Sequence, residues 1–124
     1  MMEIKMGHIE VFVKDPMASK EFYCSVLGFE LDTIQQDKFV WLRAGDYTIL
    51  LRPAAESEAA NNSRGAEYSS AEKGFVLYTN DLESARKDLE NKGLVFKGTD
   101  GSERCLTFTD PDGNWFQLVN PAEH

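Results

Sequence analysis

Along "HIEVFV" (8–13) apolar and polar residues alternate, so Ile9, Val11 and Val13 share one side of an extended segment and His8, Glu10 and Phe12 the other. The period then changes. In "DPMASKEFYCSVLG" the apolar residues Ala18, Phe22 and Val26 recur at i and i+4, with Tyr23 and Leu27 beside them, which is one face of a helix. Asp15 is placed to cap that helix, Pro16 to open it and Gly28 to stop it. Three strand-like segments follow: "FELDTI" (29–34), "FVWLRA" (39–44) and "YTILLR" (47–52). Residues 35–38 and Gly45-Asp46 supply the turns between them.

The second half repeats this order. "GFVLYT" (74–79) reads as a strand. "NDLESARKDLENKG" reads as a helix capped by Asn80 or Asp81, with Leu82, Ala85 and Leu89 on its apolar face, and Gly93 as its stop. On its opposite face Glu83, Arg86, Lys87 and Glu90 form a solvated row with a Glu83–Lys87 pair. "LVFKG" (94–98), "RCLTFT" (104–109) and "NWFQLV" (114–119) are three further strands. Laying the halves together sets Asp15 on Asp81, Gly28 on Gly93, Gly45 on Gly113 and Pro53 on Pro121. A twice-repeated βαβββ unit predicts an α+β fold. Its modules span about 5–53 and 73–121 within a single domain, 1–124. The polar, small-residue segment 54–72 between them is expected to be a mobile loop and a lid.

Alternation also assigns faces. Ile9, Val11, Val13, Phe75, Leu77, Leu106, Phe108, Phe116 and Leu118 are expected to pack on the helices. The other face then carries His8, Glu10 and Phe12; Tyr47, Ile49 and Leu51; Val76 and Tyr78; Cys105 and Thr107; Trp115, Gln117 and Val119. That set is too aromatic for plain solvent and too polar for plain core. It suits a cup in which a few polar groups orient a mostly apolar guest.

Composition narrows the function. The chain has 124 residues, of which 42% are hydrophobic and 27% charged, the balance of a globular protein. Its net charge of −8, with 13 Lys and Arg scattered among acids, argues against a nucleic-acid partner. No apolar run approaches a membrane span, and the start, "MMEIKMGHIE", lacks the apolar stretch of a secretory signal. Cys24 and Cys105 stand far apart with no CxxC, which reads as reduced thiols in a cytoplasmic protein.

The paired modules, "GHIEVFVKD…FYCSVLGFEL" in the first and "DPDGNWFQL" closing the second, resemble the vicinal oxygen chelate superfamily. This is the group of glyoxalase I, extradiol dioxygenases, fosfomycin-resistance enzymes and bleomycin-resistance proteins. The resemblance runs from about residue 5 to 121. It implies an open, partly wrapped barrel with the helices outside and the cup inside, and a homodimer. In metal-dependent members the first and last strand of each module supply a ligand. Those positions fall on His8, Ile49, Gly74 and Gln117 here, and only the first and last carry a polar side chain. A catalytic divalent ion wants about three protein ligands of charged or imidazole character. No metal and no other cofactor is therefore expected.

The reading that results is a small-molecule binder, of an antibiotic or metabolite, without catalysis, like the metal-free bleomycin-resistance proteins. The alternatives are a metal-dependent lyase, isomerase or dioxygenase with a reorganised site, and a sensor or accessory protein in a larger assembly. Candidate ligand-binding residues are His8, Phe39, Trp41, Tyr47, Ile49, Tyr78, Cys105, Thr107, Trp115 and Gln117. His8 reads as a hydrogen-bonding cavity residue rather than a surviving metal ligand, and Cys105 as a passive thiol rather than a nucleophile. Gln117 reads equally as a ligand contact or as an amide bridging strands. Asp110 and Asp112 belong to turn chemistry.

Overall fold

The computed structural model describes residues 3–55 and 66–123. The first module comprises β1 (Ile9–Val13), α1 (Pro16–Glu21), β2 (Glu30–Gln35), β3 (Phe39–Ala44) and β4 (Tyr47–Pro53). A short 3-10 turn, Tyr68–Ser70, precedes the second module: β5 (Phe75–Tyr78), α2 (Leu82–Asn91), β6 (Cys105–Thr109) and β7 (Trp115–Val119). The central part of the connection expected to be mobile, 56–65, lies outside the described residues.

The caps are those the sequence predicts. The Asp15 carboxylate accepts from the backbone N–H groups of Met17 at 3.1 Å and Ala18 at 3.4 Å. Asp81 accepts from the N–H of Ser84 at 3.0 Å. Both satisfy donors that a helix start otherwise leaves open. Beyond Glu21 the chain widens into a π turn, Phe22–Val26, whose Leu27 N–H reaches back to the Phe22 carbonyl at 3.1 Å. The extra residue rotates the helix face. Pro16, Ser19 and Tyr23 turn inward, and Ala18, expected on the apolar face, is exposed. On α2, Glu83 takes its main ion pair from Arg86, with Lys87 more distant at 3.9 Å.

Two sheets result. The first has strand order β1-β4-β3-β2 and the second β5-β7-β6, and they do not close into a barrel. Segment 94–98, expected as a strand, is irregular: it borrows two bonds from β6, Lys97 N–H to Thr107 O at 2.7 Å and Thr107 N–H to Gly98 O at 3.0 Å. Gly98 and Gly101 hold φ values of +109° and +81°, which bend the backbone away from a ladder.

Facing assignments hold for β1, β5, β6 and β7 and fail for β4. β1 and β4 pair in parallel with Ile9 opposite Ile49 and Val11 opposite Leu51, so those four side chains share a side. Tyr47, Ile49 and Leu51 therefore lie on the helix side. Thr48, Leu50 and Arg52 take the face that carries Glu10 and Phe12. Ile49 and Leu51 join Val11, Val13, Val40, Leu42, Tyr23, Phe108, Phe116 and Leu118 in one core that both modules share. Phe108 and Phe116 stack at 5.2 Å between ring centres, and the Tyr23 ring meets Phe116 at 5.9 Å. No helix among the described residues is long and apolar enough to cross a membrane.

Candidate functional site

The register correction also moves one ligand-equivalent position. Val76 pairs with Gln117 in the second sheet as Glu10 pairs with Leu50 in the first. The counterpart of Gln117 is thus Leu50, one residue beyond the Ile49 expected from the sequence. The four equivalent positions hold His8, Leu50, Gly74 and Gln117: one imidazole, one isobutyl group, one hydrogen and one amide. That donor set does not fit a resident divalent ion. Both polar members already have partners in the chain. His8 Nε2 lies 2.8 Å from Glu10 Oε2, and Gln117 Nε2 donates to Asp100 Oδ2 at 3.1 Å. Among the described residues no three His, Cys, Asp or Glu side chains come together as a metal cluster.

The ten residues singled out from the sequence separate into three places. His8, Phe39 and Trp41 lie on the face of the first sheet turned away from the helices, where the Trp41 ring stands 4.8 Å from the His8 ring and its Nε1 donates to Gln35 Oε1 at 2.9 Å. Glu10 and Arg52, joined at 2.9 Å, complete that face, with Arg52 over the rings of Phe12 at 5.4 Å and Phe39 at 5.9 Å. Hydrogen bonds from Arg52, then His8, hold the Glu10 carboxyl below its usual range. The Arg52 Nε is buried without a hydrogen-bond partner. Arg52 escaped the sequence reading because the parity assigned to β4 had pointed it to the helix side.

Cys105, Thr107, Trp115 and Gln117 lie together on the corresponding face of the second sheet, and all four are buried. They are covered by groups the sequence did not flag. Tyr68 stands edge-on to Trp115 at 6.2 Å, Lys97 Nζ lies 5.9 Å from the Trp115 ring centre, and Asp100 holds Gln117. No disulfide links Cys24 and Cys105, and burial raises the Cys24 thiol above its ordinary value.

Tyr47 and Ile49 lie on the helix side, whereas Tyr78, opposite Val119, is on the Gln117 face of the second sheet. All three border an open cleft of about 860 Å³ on the helix side, between the end of the π turn and β4 in one module and β5 and α2 in the other. Its floor is apolar, with Ile9, Ile49, Phe75, Leu77 and Phe116. Arg43, Asp46, Asp88 and Lys92 also contribute to its lining.

Residues 5–118 match the sequence model of the Glyoxalase/Bleomycin resistance protein/Dioxygenase superfamily, and the chain belongs to that superfamily. No curated protein matches it in sequence. Among solved structures it is similar to a lactoylglutathione lyase from Agrobacterium tumefaciens, at 18% identity over 94% of this chain and 92% of that one, with a TM-score of 0.68. It is also similar to TnmS3, an antibiotic-binding protein from Streptomyces sp. CB03234, at 21% identity over 95% and 98% of the two chains, TM-score 0.67. The bleomycin-binding protein of bleomycin-producing Streptomyces verticillus, complexed with copper(II)-bleomycin, is 18% identical over 97% and 98%, TM-score 0.67. These likenesses establish a shared fold that carries both enzymes and drug binders.

Proposed function

We propose that this protein binds a small, planar, mostly apolar molecule, an antibiotic or metabolite, on its aromatic sheet faces and does no chemistry on it. The observation that carries this reading is the donor set of the four ligand-equivalent positions, in which Leu50 and Gly74 offer nothing to a metal. Around those positions stand His8, Phe39, Trp41 and Trp115, which suit stacking on a flat guest. A metal-dependent lyase, isomerase or dioxygenase would have to recruit its ligands elsewhere. The proposed setting is the cytoplasm.

The test is a titration of planar and cationic antibiotics into chelator-treated protein, followed by tryptophan fluorescence. Trp41 and Trp115 are the only tryptophans, and neither lines the helix-side cleft. A guest on the faces changes their emission, whereas a guest in the cleft shows heat of binding without it. Gln117→Leu should weaken a face-bound guest by about 1–3 kcal/mol, the range for a lost or unpaired hydrogen bond. Unchanged affinity would remove Gln117 from the site.

The same reading includes a homodimer. Phe12, Leu31, Val76 and Tyr78 are 38%, 48%, 49% and 73% exposed in the single chain, apolar side chains of the kind that a second copy would cover. Light scattering at micromolar concentration should give twice the chain mass of 14.0 kDa, and a monomer there refutes this part of the proposal.

A further inference from the structure

Gly74 lies outside the left-handed region, so its backbone does not call for glycine. Space does. A Cβ at this position would stand 2.6 Å from the Cε1 and Cζ atoms of Tyr68 and nearer still to its hydroxyl oxygen. Those distances are shorter than van der Waals contact allows, so any side chain at 74 displaces the tyrosine ring. The missing side chain thus leaves a hollow, and the phenol of Tyr68 lies in it.

The hollow has defined walls. Its floor is Gly74, the residue just before β5, as His8 is the residue just before β1. One side is Trp115, only 4% exposed, met edge-on by Tyr68 at an interplanar angle of 86°. Lys97 Nζ lies 5.9 Å from the Trp115 ring centre and is itself tied to Thr109 Oγ1 at 2.8 Å. Tyr68 arrives from the inter-module connection on a single 3-10 turn. There the Glu67 N–H donates to Ser70 Oγ at 3.1 Å and the Ser70 N–H returns to Glu67 O at 3.1 Å. One turn with few anchors can lift away at far lower cost than a core element.

We infer that the hollow over Gly74 beside Trp115 is a binding slot for a phenol-type ring, and that Tyr68 is its resident occupant, a competitor carried in the same chain. The shape, an aromatic wall and a cation near its ring select a flat ring with a hydroxyl group, because that is what the slot already holds. The inference rests on the small-molecule reading for its biological use, but the slot can be tested without a natural guest. A ligand of this class must displace Tyr68, so its apparent affinity is reduced by the fraction of time the slot is filled.

The test uses Trp41→Phe protein, in which Trp115 alone emits, with p-cresol as the probe. Tyr68→Ala should shift Trp115 emission to the red and make it accessible to acrylamide. Millimolar p-cresol should then reverse both changes saturably, while binding the Tyr68 parent at least about tenfold more weakly, as expected for a slot filled about nine-tenths of the time. Gly74→Ala, which expels the ring and blocks the floor, should give the red shift without p-cresol binding. It also supplies the emission readout should Tyr68→Ala fail to fold. Unchanged emission in either variant overturns the inference, as does a red-shifted Tyr68→Ala protein that p-cresol does not reverse. Failure of every antibiotic to bind the unsubstituted protein would refute the proposed function and leave the p-cresol result standing.

Discussion

Phe108→Ala is expected to lower the stability of the protein by about 3–5 kcal/mol, the range for truncating a large buried aromatic. Phe108 is 0% exposed and lies where the two modules share their core. Its ring stacks on Phe116 at 5.2 Å and also meets Phe22 of the first module at 6.5 Å and Phe96 at 5.8 Å. Truncation removes these contacts at once. The surroundings cannot collapse into the space, because they come from separate elements that would have to shift together. A domain of this size is stable by only about 5–15 kcal/mol, so the variant should sit close to unfolding at ambient temperature. Urea denaturation gives the value directly. A loss below about 1 kcal/mol would mean that the modules do not rely on this common core.

Asp110→Ala should be nearly as damaging, at about 3 kcal/mol, for a polar reason. The carboxylate is 2% exposed and accepts four hydrogen bonds. Its donors are the Tyr23 hydroxyl at 2.6 Å, the backbone N–H groups of Asp112 at 2.9 Å and Asn114 at 2.8 Å, and Asn114 Nδ2 at 2.9 Å. One side chain therefore folds the Asp-Pro-Asp-Gly turn and ties it to the π turn of the other module. Tyr23→Phe removes one donor of the four and should cost about 1–2 kcal/mol. The double variant should cost less than the sum of the two single changes, because both break the same bond.

The Asp110 carboxyl also links stability to pH. Burial raises its pKa, hydrogen bonds from Tyr23 and Asn114 offset part of that rise, and the charge of Asp112 adds to it. Between the ordinary value of 3.8 and the raised folded value, the native state holds more protons than the unfolded chain. The contribution of this group is complete below 3.8 and is lost as pH rises through the folded value. Measured against Asp110→Asn, the wild-type advantage should shrink as pH rises from about 3 to about 7. An advantage that grows over that interval would show that the hydrogen bonds outweigh burial.

Much of this architecture is local and so is written in the sequence. The strand at Ile9–Val13, the cap at Asp15, the proline that opens α1 and the glycine stops depend on neighbours a few residues away, and period and capping chemistry identify them. The repeat follows from the same local signals recurring in the same order, and the family from the match over residues 5–118. The resemblance implies ligand positions at which the sequence shows only His8 and Gln117 as polar side chains, and the strand register then exchanged Ile49 for Leu50 among them.

What it could not decide is everything set by which strand lies beside which. The parallel register of β1 on β4 moved Tyr47, Ile49 and Leu51 to the helix side and brought Arg52 onto the face of Glu10 and Phe12. A strand of period two reads equally well in either parity when both its faces are apolar, as Tyr47–Pro53 shows. The irregular path of 94–98, the seat of Tyr68 over Gly74 and the bond from Gln117 to Asp100 are likewise contacts between distant segments. Residue identity determined what each side chain of this protein can do. Only the packing of the two sheets on a common core decided which of them meet.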